Sequence, residues 1–252
     1  MLSWENNNNN KIILYHGTNN PDIIPEYGKG KSLNDYGKGF YTTDDKELAK
    51  EWAMNKFVGT NVLDRSCLTL ELNTTNLKVL DLNVYEPVHW VATLLNNRGF
   101  KRRAEDNIWG GRLLDIENSI PFFTKKYAID VTEYDYIKGF RADDGYNNFI
   151  NLFLLDLVNI DELDEIMRKG DLGQQYCIKS RKAFDSLKII GAEKVPLNYS
   201  IKHDTRLAKA NKEVDKIMKT RSNRLIFEGF GKIKTNTYSY IINRILDEIR
   251  EE

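Results

Sequence analysis

The 252-residue sequence predicts an α+β fold. Three observations carry this. Short β-rich runs and helical stretches follow one another without the regular strand–helix–strand rhythm of a doubly wound parallel sheet. The glycine patterns of nucleotide-binding parallel folds are missing: GKGF at residues 37–40 is not a GxGxxG fingerprint, and no GxxxxGK[ST] loop occurs. Apolar residues make up 41% of the chain, enough for a packed core and too many for a disordered one.

The elements follow in order. Asn6 to Asn10 is a low-complexity run and reads as a flexible lead-in. Lys11 to Tyr15 is a β-rich run, the first strand. Asn19 to Lys38 holds five glycines and prolines and reads as a long loop with turns. Gly39 to Thr43 is the second strand. Asp44 and Glu47 stand at capping-box spacing before a helix with Leu48, Ala49, Trp52, Ala53 and Phe57 on one face. Leu68, Leu70 and Leu72 alternate in a half-buried strand, and Leu77 to Leu82 is another. Pro87 opens a helix that Gly99 closes. Phe100 to Thr132, with the basic Lys101, Arg102 and Arg103, gives no clear period. Tyr134 to Phe140 is a strand and Asn147 to Val158 a buried helix. Asp161 caps a helix ending at Gly170. Gln174 to Lys179 is a strand, Arg181 to Leu187 a short helix and Lys188 to Val195 the last strand. Two helices follow, His203 to Thr220 and Thr237 to Arg250. The organisation expected is a lead-in over 1–10, a domain over 11–196 and a helical extension over 197–252.

Lys plus Arg and Asp plus Glu number 37 each, and the isoelectric point is near 6.9, so no global basic signature for nucleic acid or anionic membrane exists. Cys67 and Cys177 are too far apart for a disulfide framework or zinc spacing. With three histidines (His16, His89, His203), no metal site is expected. His89 reads as structural and His203 as solvent-facing. The amino-terminal stretch lacks the features of a signal peptide, and no run reaches the roughly 18 apolar residues of a membrane span. A cytoplasmic protein is expected, with export by a specialised machinery left open.

Two segments ask for more than turn chemistry: LYHGT at residues 14–18 and DYGKGFYTT at residues 35–43. Turns need the glycines but not His16, Tyr41, Thr42 and Thr43 together. Taken singly, each has a structural reading: a satisfied strand-end histidine, a core tyrosine, polar strand residues.

LYHGT, NDYGKGFYTTDDKELAKEWA, GFRADDGY and LGQQYCIKSRKAF occur in this order. With them the chain resembles a bacterial family of unknown function within the ADP-ribosyltransferase superfamily, the branch related to diphtheria toxin and the poly(ADP-ribose) polymerases. The resemblance runs from about Lys11 to Val195. It implies a split β-sheet with flanking helices, a helical C-terminal extension and an NAD⁺ cleft between two small sheets. By that similarity His16 would bind a ribose and the Gly17 backbone would hold the nicotinamide carboxamide, with Thr18 nearby. Tyr41 would stack on the nicotinamide, and Gly39, Phe40, Thr42 and Thr43 would shape the pocket. Lys31 stands where relatives often carry arginine, a phosphate contact without the bidentate fork. Gln175 would take the place of the superfamily's catalytic glutamate, with Gln174 in reserve. A glutamine accepts a 2′-hydroxyl but is no general base. Acceptor activation would then fall to Asp143 or Asp144, which read equally well as caps of the following helix. The physics fits: an aromatic face suits a flat, electron-poor ring, and a bare glycine backbone offers a donor and an acceptor.

The implied activity is mono-ADP-ribosyl transfer from NAD⁺ to a macromolecule, as in a bacterial toxin, effector or phage-defence protein with an antitoxin or inhibitor partner. NAD⁺ is then a co-substrate, without a metal. Neutral charge favours a protein acceptor over nucleic acid. NAD⁺ hydrolysis and a non-catalytic binding module are the alternatives.

Overall fold

The computed structural model describes the chain except residues 1–9, 21, 55–64, 100–109, 142–145, 170–172, 229–234 and 252. The strands are β1 (Lys11–Thr18), β2 (Phe40–Thr43), β3 (Ser66–Asn73), β4 (Val79–Asp81), β5 (Tyr136–Phe140), β6 (Gln174–Ile178) and β7 (Leu187–Lys194). The helices are α1 (Lys46–Ala53), α2 (Pro87–Arg98), α3 (Gly110–Tyr127), α4 (Tyr146–Leu154), α5 (Ile160–Lys169), α6 (Arg181–Asp185), α7 (Asn198–Glu228) and α8 (Tyr238–Glu251). The architecture is α+β around one mixed seven-stranded sheet, in the order β4-β5-β6-β2-β1-β3-β7. Among the described residues, only β4 and β5 pair in parallel.

Strand alternation sends side chains to two cores. On one face Leu14, Leu68, Leu70, Leu72, Tyr176 and Ile178 pack with Ala183 of α6. Burying each leucine contributes about 2 kcal/mol. The other face carries the main core, where Ile137 and Cys177 meet α2, α3, α4 and α5. Ala210 and Val214 of α7 and Tyr238, Ile242 and Ile245 of α8 belong to that same core. The C-terminal helices are thus built into the fold.

Several boundaries differ from expectation. β1 runs on to Thr18, so His16 and Gly17 lie inside a strand rather than at its end. The cap of α1 is Asp45, whose carboxylate accepts from the Glu47 and Leu48 amides; Asp44 instead accepts from the Tyr176 hydroxyl. For α5 the capping pair is Asn159 and Glu162, each side chain bonding the other's backbone amide, in place of Asp161. α3, unread in the sequence, carries Pro121 mid-helix, which breaks the apolar period. α2 begins at Pro87 and ends before Gly99, whose φ of +72° suits glycine, as expected. Phe57, the Lys101–Arg103 cluster and Gly170 lie outside the described residues.

Candidate functional site

The sheet is unevenly joined at its centre. β1 pairs with β3 at eight register positions, from Lys11 opposite Asn73 to Thr18 opposite Ser66. Its pairing with β2 is a single position, Tyr15 opposite Thr43. Continuing that register would set His16 opposite Thr42 and Gly17 opposite Tyr41, and neither pair forms. Beyond Tyr15 the β1–β2 ladder therefore stops, although both strands belong to one seven-stranded sheet. The two backbones make no further ladder pair here, which leaves a gap in the ladder.

His16 stands in that gap. Its ring packs on Phe40, with centroids 4.4 Å apart, and its Nδ1 lies 2.7 Å from the Tyr41 carbonyl oxygen. A carbonyl only accepts, so Nδ1 carries the proton. Burial lowers the pKa of His16 below its usual 6.5, the Tyr41 hydrogen bond opposing. At neutral pH the ring is therefore uncharged, protonated on Nδ1, with an Nε2 lone pair that meets no donor among the described residues. Such a nitrogen is suited to accept from a hydroxyl.

Gly17 is required by packing. A Cβ there would land on the Ala49 carbonyl oxygen of α1 and lie 2.6 Å from the Ala53 nitrogen. Gly39 is similarly constrained: a Cβ added there would lie 2.7 Å from the Ile178 carbonyl oxygen. Both positions have structural reasons for glycine that the sequence left open.

The second segment forms a closed polar network. The Tyr41 hydroxyl donates to the Gly37 carbonyl (2.6 Å) and accepts from the Tyr36 amide (3.0 Å). The Lys179 ammonium donates to the Tyr36 carbonyl at 2.6 Å. Tyr36, fully buried, donates to the Phe140 carbonyl (2.8 Å) and accepts from the Trp90 indole (3.1 Å). Burial first, and the Asp35 charge next, push its pKa well up. Asp35, 5% exposed, has one oxygen 2.6 Å from Arg98 Nη1 and the other 2.7 Å from Gln175 Nε2. Gln175 is itself 3% exposed.

The structure thus divides the residues singled out in the sequence. His16, Phe40 and the Tyr41 carbonyl meet where the β1–β2 ladder stops, and Gly17 packs against α1. The Tyr41 side chain goes to the main core, and the ring packed at a tilt against His16 is Phe40. Gln175 opposes Thr43 and Gly139, on the Tyr41 side of the sheet, whereas the Gln174 carboxamide oxygen is held by Asn83 Nδ2 at 2.8 Å. The threonine hydroxyls are committed within the fold. Thr18 bonds Asn20, Thr42 donates to the Tyr176 carbonyl and Thr43 accepts from the Asp45 amide. Lys31 is exposed ahead of the DYG loop. Asp143 and Asp144 lie outside the described residues. Sequence reasoning missed Asp35, Tyr36, Trp90, Arg98 and Lys179; the one available signal was the position of Asp35 and Tyr36 inside the DYGKG segment.

His89 is structural, its Nδ1 bonding the Tyr127 carbonyl at 2.8 Å. His203 is a correction: it is 6% exposed rather than solvent-facing, because α7 begins at Asn198 and turns this residue inward with Tyr199. Both cysteines are free and buried, and burial pushes Cys67 up to about 11 and Cys177 to about 12. Neither is a thiolate nucleophile at neutral pH. Among the described residues no group of three or more His, Cys, Asp or Glu could hold a metal, and no helix is long and apolar enough to cross a membrane.

Residues 12–189 match the family described as Protein of unknown function (DUF3990). The match takes in the whole of the gap and the polar network beside it, and the chain belongs to this family. No curated protein and no solved structure matches the chain.

Proposed function

We propose that the gap between β1 and β2 is the NAD⁺ cleft of an ADP-ribosyltransferase-like split sheet, and that the protein transfers ADP-ribose to a macromolecule. The observation that carries the reading is the neutral His16 wedged where the β1–β2 ladder stops, with Nε2 offered to a hydroxyl. Backbone edges that lack a strand partner suit a carboxamide, which needs one donor and one acceptor. Phe40 beside His16 provides an aromatic wall. In the reaction the C1′–N glycosidic bond breaks and its electron pair returns to the nicotinamide nitrogen. The oxocarbenium-like carbon is captured by the acceptor's lone pair, and the acceptor releases its proton. The protein's part is orientation and electrostatic support. The balanced charge of the chain favours a protein acceptor. Any acceptor partner, and any inhibitor that keeps the activity in check, belongs to the same proposal.

One observation favours the non-catalytic alternative: Gln175 is nearly sealed and its amide nitrogen is engaged by Asp35. A binding module would need no more than the gap.

The test is incubation of purified protein with labelled NAD⁺ and a whole-cell bacterial lysate, following free nicotinamide and label on protein, RNA and DNA. Label on protein, lost in His16→Ala, is expected. Free ADP-ribose alone identifies a glycohydrolase. Retained NAD⁺ without release identifies the binding module.

A further inference from the structure

We infer that Asp35 is a positioning residue that sets which end of the Gln175 carboxamide a ligand meets, and that its carboxylate is the reason a glutamine stands there. This rests on the NAD⁺ reading above. A carboxylate accepts only, so at 2.7 Å from Asp35 Oδ2 the Gln175 atom must be the amide nitrogen. That bond fixes the carboxamide orientation, and Oε1, turned away from Asp35, is the atom left to accept from a ligand hydroxyl. Without Asp35 the carboxamide could turn over and present a donor instead. Arg98 Nη1, 2.6 Å from the other Asp35 oxygen, holds the carboxylate in place from the end of α2.

The arrangement excludes glutamate at the same position. A carboxylate at residue 175 would sit against Asp35 at hydrogen-bond distance, and two such groups cannot both be ionised. The negative charge sits on Asp35, and the uncharged Gln175 carboxamide oxygen is the acceptor. Exchanging the two chemistries should then restore the site. With Asp35→Asn, the new amide donates backwards to Gln175→Glu, and a carboxylate oxygen again points forward.

The experiment is a charge-exchange cycle. Wild type, Gln175→Glu, Asp35→Asn and the double variant are compared for NAD⁺ binding by calorimetry, for the kcat and KM of nicotinamide release, and for Tm between pH 6 and 8.5. In Gln175→Glu turnover falls at least ~100-fold. One carboxyl of its pair has a raised pKa, so stability is lost as pH rises through that value, and its Tm drops by about 5 °C over the range. Asp35→Asn stays folded and loses about tenfold in kcat/KM, mostly in kcat. The double variant recovers turnover to within about tenfold of wild type and loses the pH-dependent drop in Tm. A folded double variant no more active than Gln175→Glu, or an Asp35→Asn protein with wild-type kcat and KM, overturns the inference while leaving the NAD⁺ reading intact. Wild-type protein that neither binds NAD⁺ nor releases nicotinamide overturns both.

Discussion

The two edges of β1 make the most informative contrast in the molecule. Towards β3 the strand is paired along its whole length, and Leu14 and Ile12 face Leu70 and Leu72 in a continuous apolar stripe. Towards β2 it is paired once, and a histidine side chain takes a carbonyl that a ladder would have used. The same eight residues therefore make both a structural seam and an opening. What separates them is the residue placed at the point of divergence. An apolar side chain at residue 16 would leave the Tyr41 carbonyl without its side-chain partner. An imidazole satisfies it with one nitrogen and keeps the other free.

Four substitutions sharpen or break this contrast. The largest effect is expected for Gly17→Ala, which forces a methyl into the α1 backbone. A loss of about 3 kcal/mol, read from urea melts, follows from a clash that no side-chain rotation relieves. A wild-type midpoint would mean that α1 is not seated on β1 as described. Next comes the network on the far side of the gap. Tyr36→Phe removes the hydroxyl that joins Trp90 and Phe140 and should cost about 2 kcal/mol in the same melts.

His16→Asn sharpens the comparison most directly, because it separates stability from binding. Its stability cost should stay under about 1 kcal/mol, while NAD⁺ affinity drops at least ~10-fold. Its pH behaviour follows from linkage. The folded pKa of His16 lies below the unfolded 6.5, so the unfolded chain binds the proton more readily. Wild-type stability therefore falls as pH is lowered through 6.5 towards the folded value, and that share of the loss disappears in His16→Asn. Chemical melts on both proteins, on either side of that window, check it. The smallest effect belongs to Glu47→Gln on α1. This exposed carboxylate, lowered to about 2 mainly by the Tyr199 hydroxyl and Lys202 of α7, contributes less than about 1 kcal/mol. Its contribution disappears as pH falls from 4.5 towards 2, visible as a small difference in acid melts.

The sequence made the seam legible and only half of the opening. The leucine alternation in β3 and the Pro87–Gly99 bracket of α2 were open to pattern reading, because they depend on local period and local backbone. His16 and Phe40 were picked out together, and their rings pack against each other. Gln175 was found, but its partner was not. Asp35 lies 140 residues away in sequence, and only strand order brings the two together. The threonines were read as pocket walls because a hydroxyl shows its chemistry in sequence but not its partner, and all three are occupied by backbone groups. His203 failed for a related reason. The charge-rich pattern of α7 masked the inward face of Tyr199, His203, Ala210 and Val214, which is legible once the helix start is known.

The measurement that bears most directly on the central claim is equilibrium binding of NAD⁺ to purified wild type and His16→Asn, with both proteins shown to be folded by the same melt. The account predicts saturable binding to wild type, competition by nicotinamide, and at least ~10-fold weaker binding to the variant. Equal affinity in the two proteins, or no binding to either, would contradict the assignment of the β1–β2 gap as the NAD⁺ site.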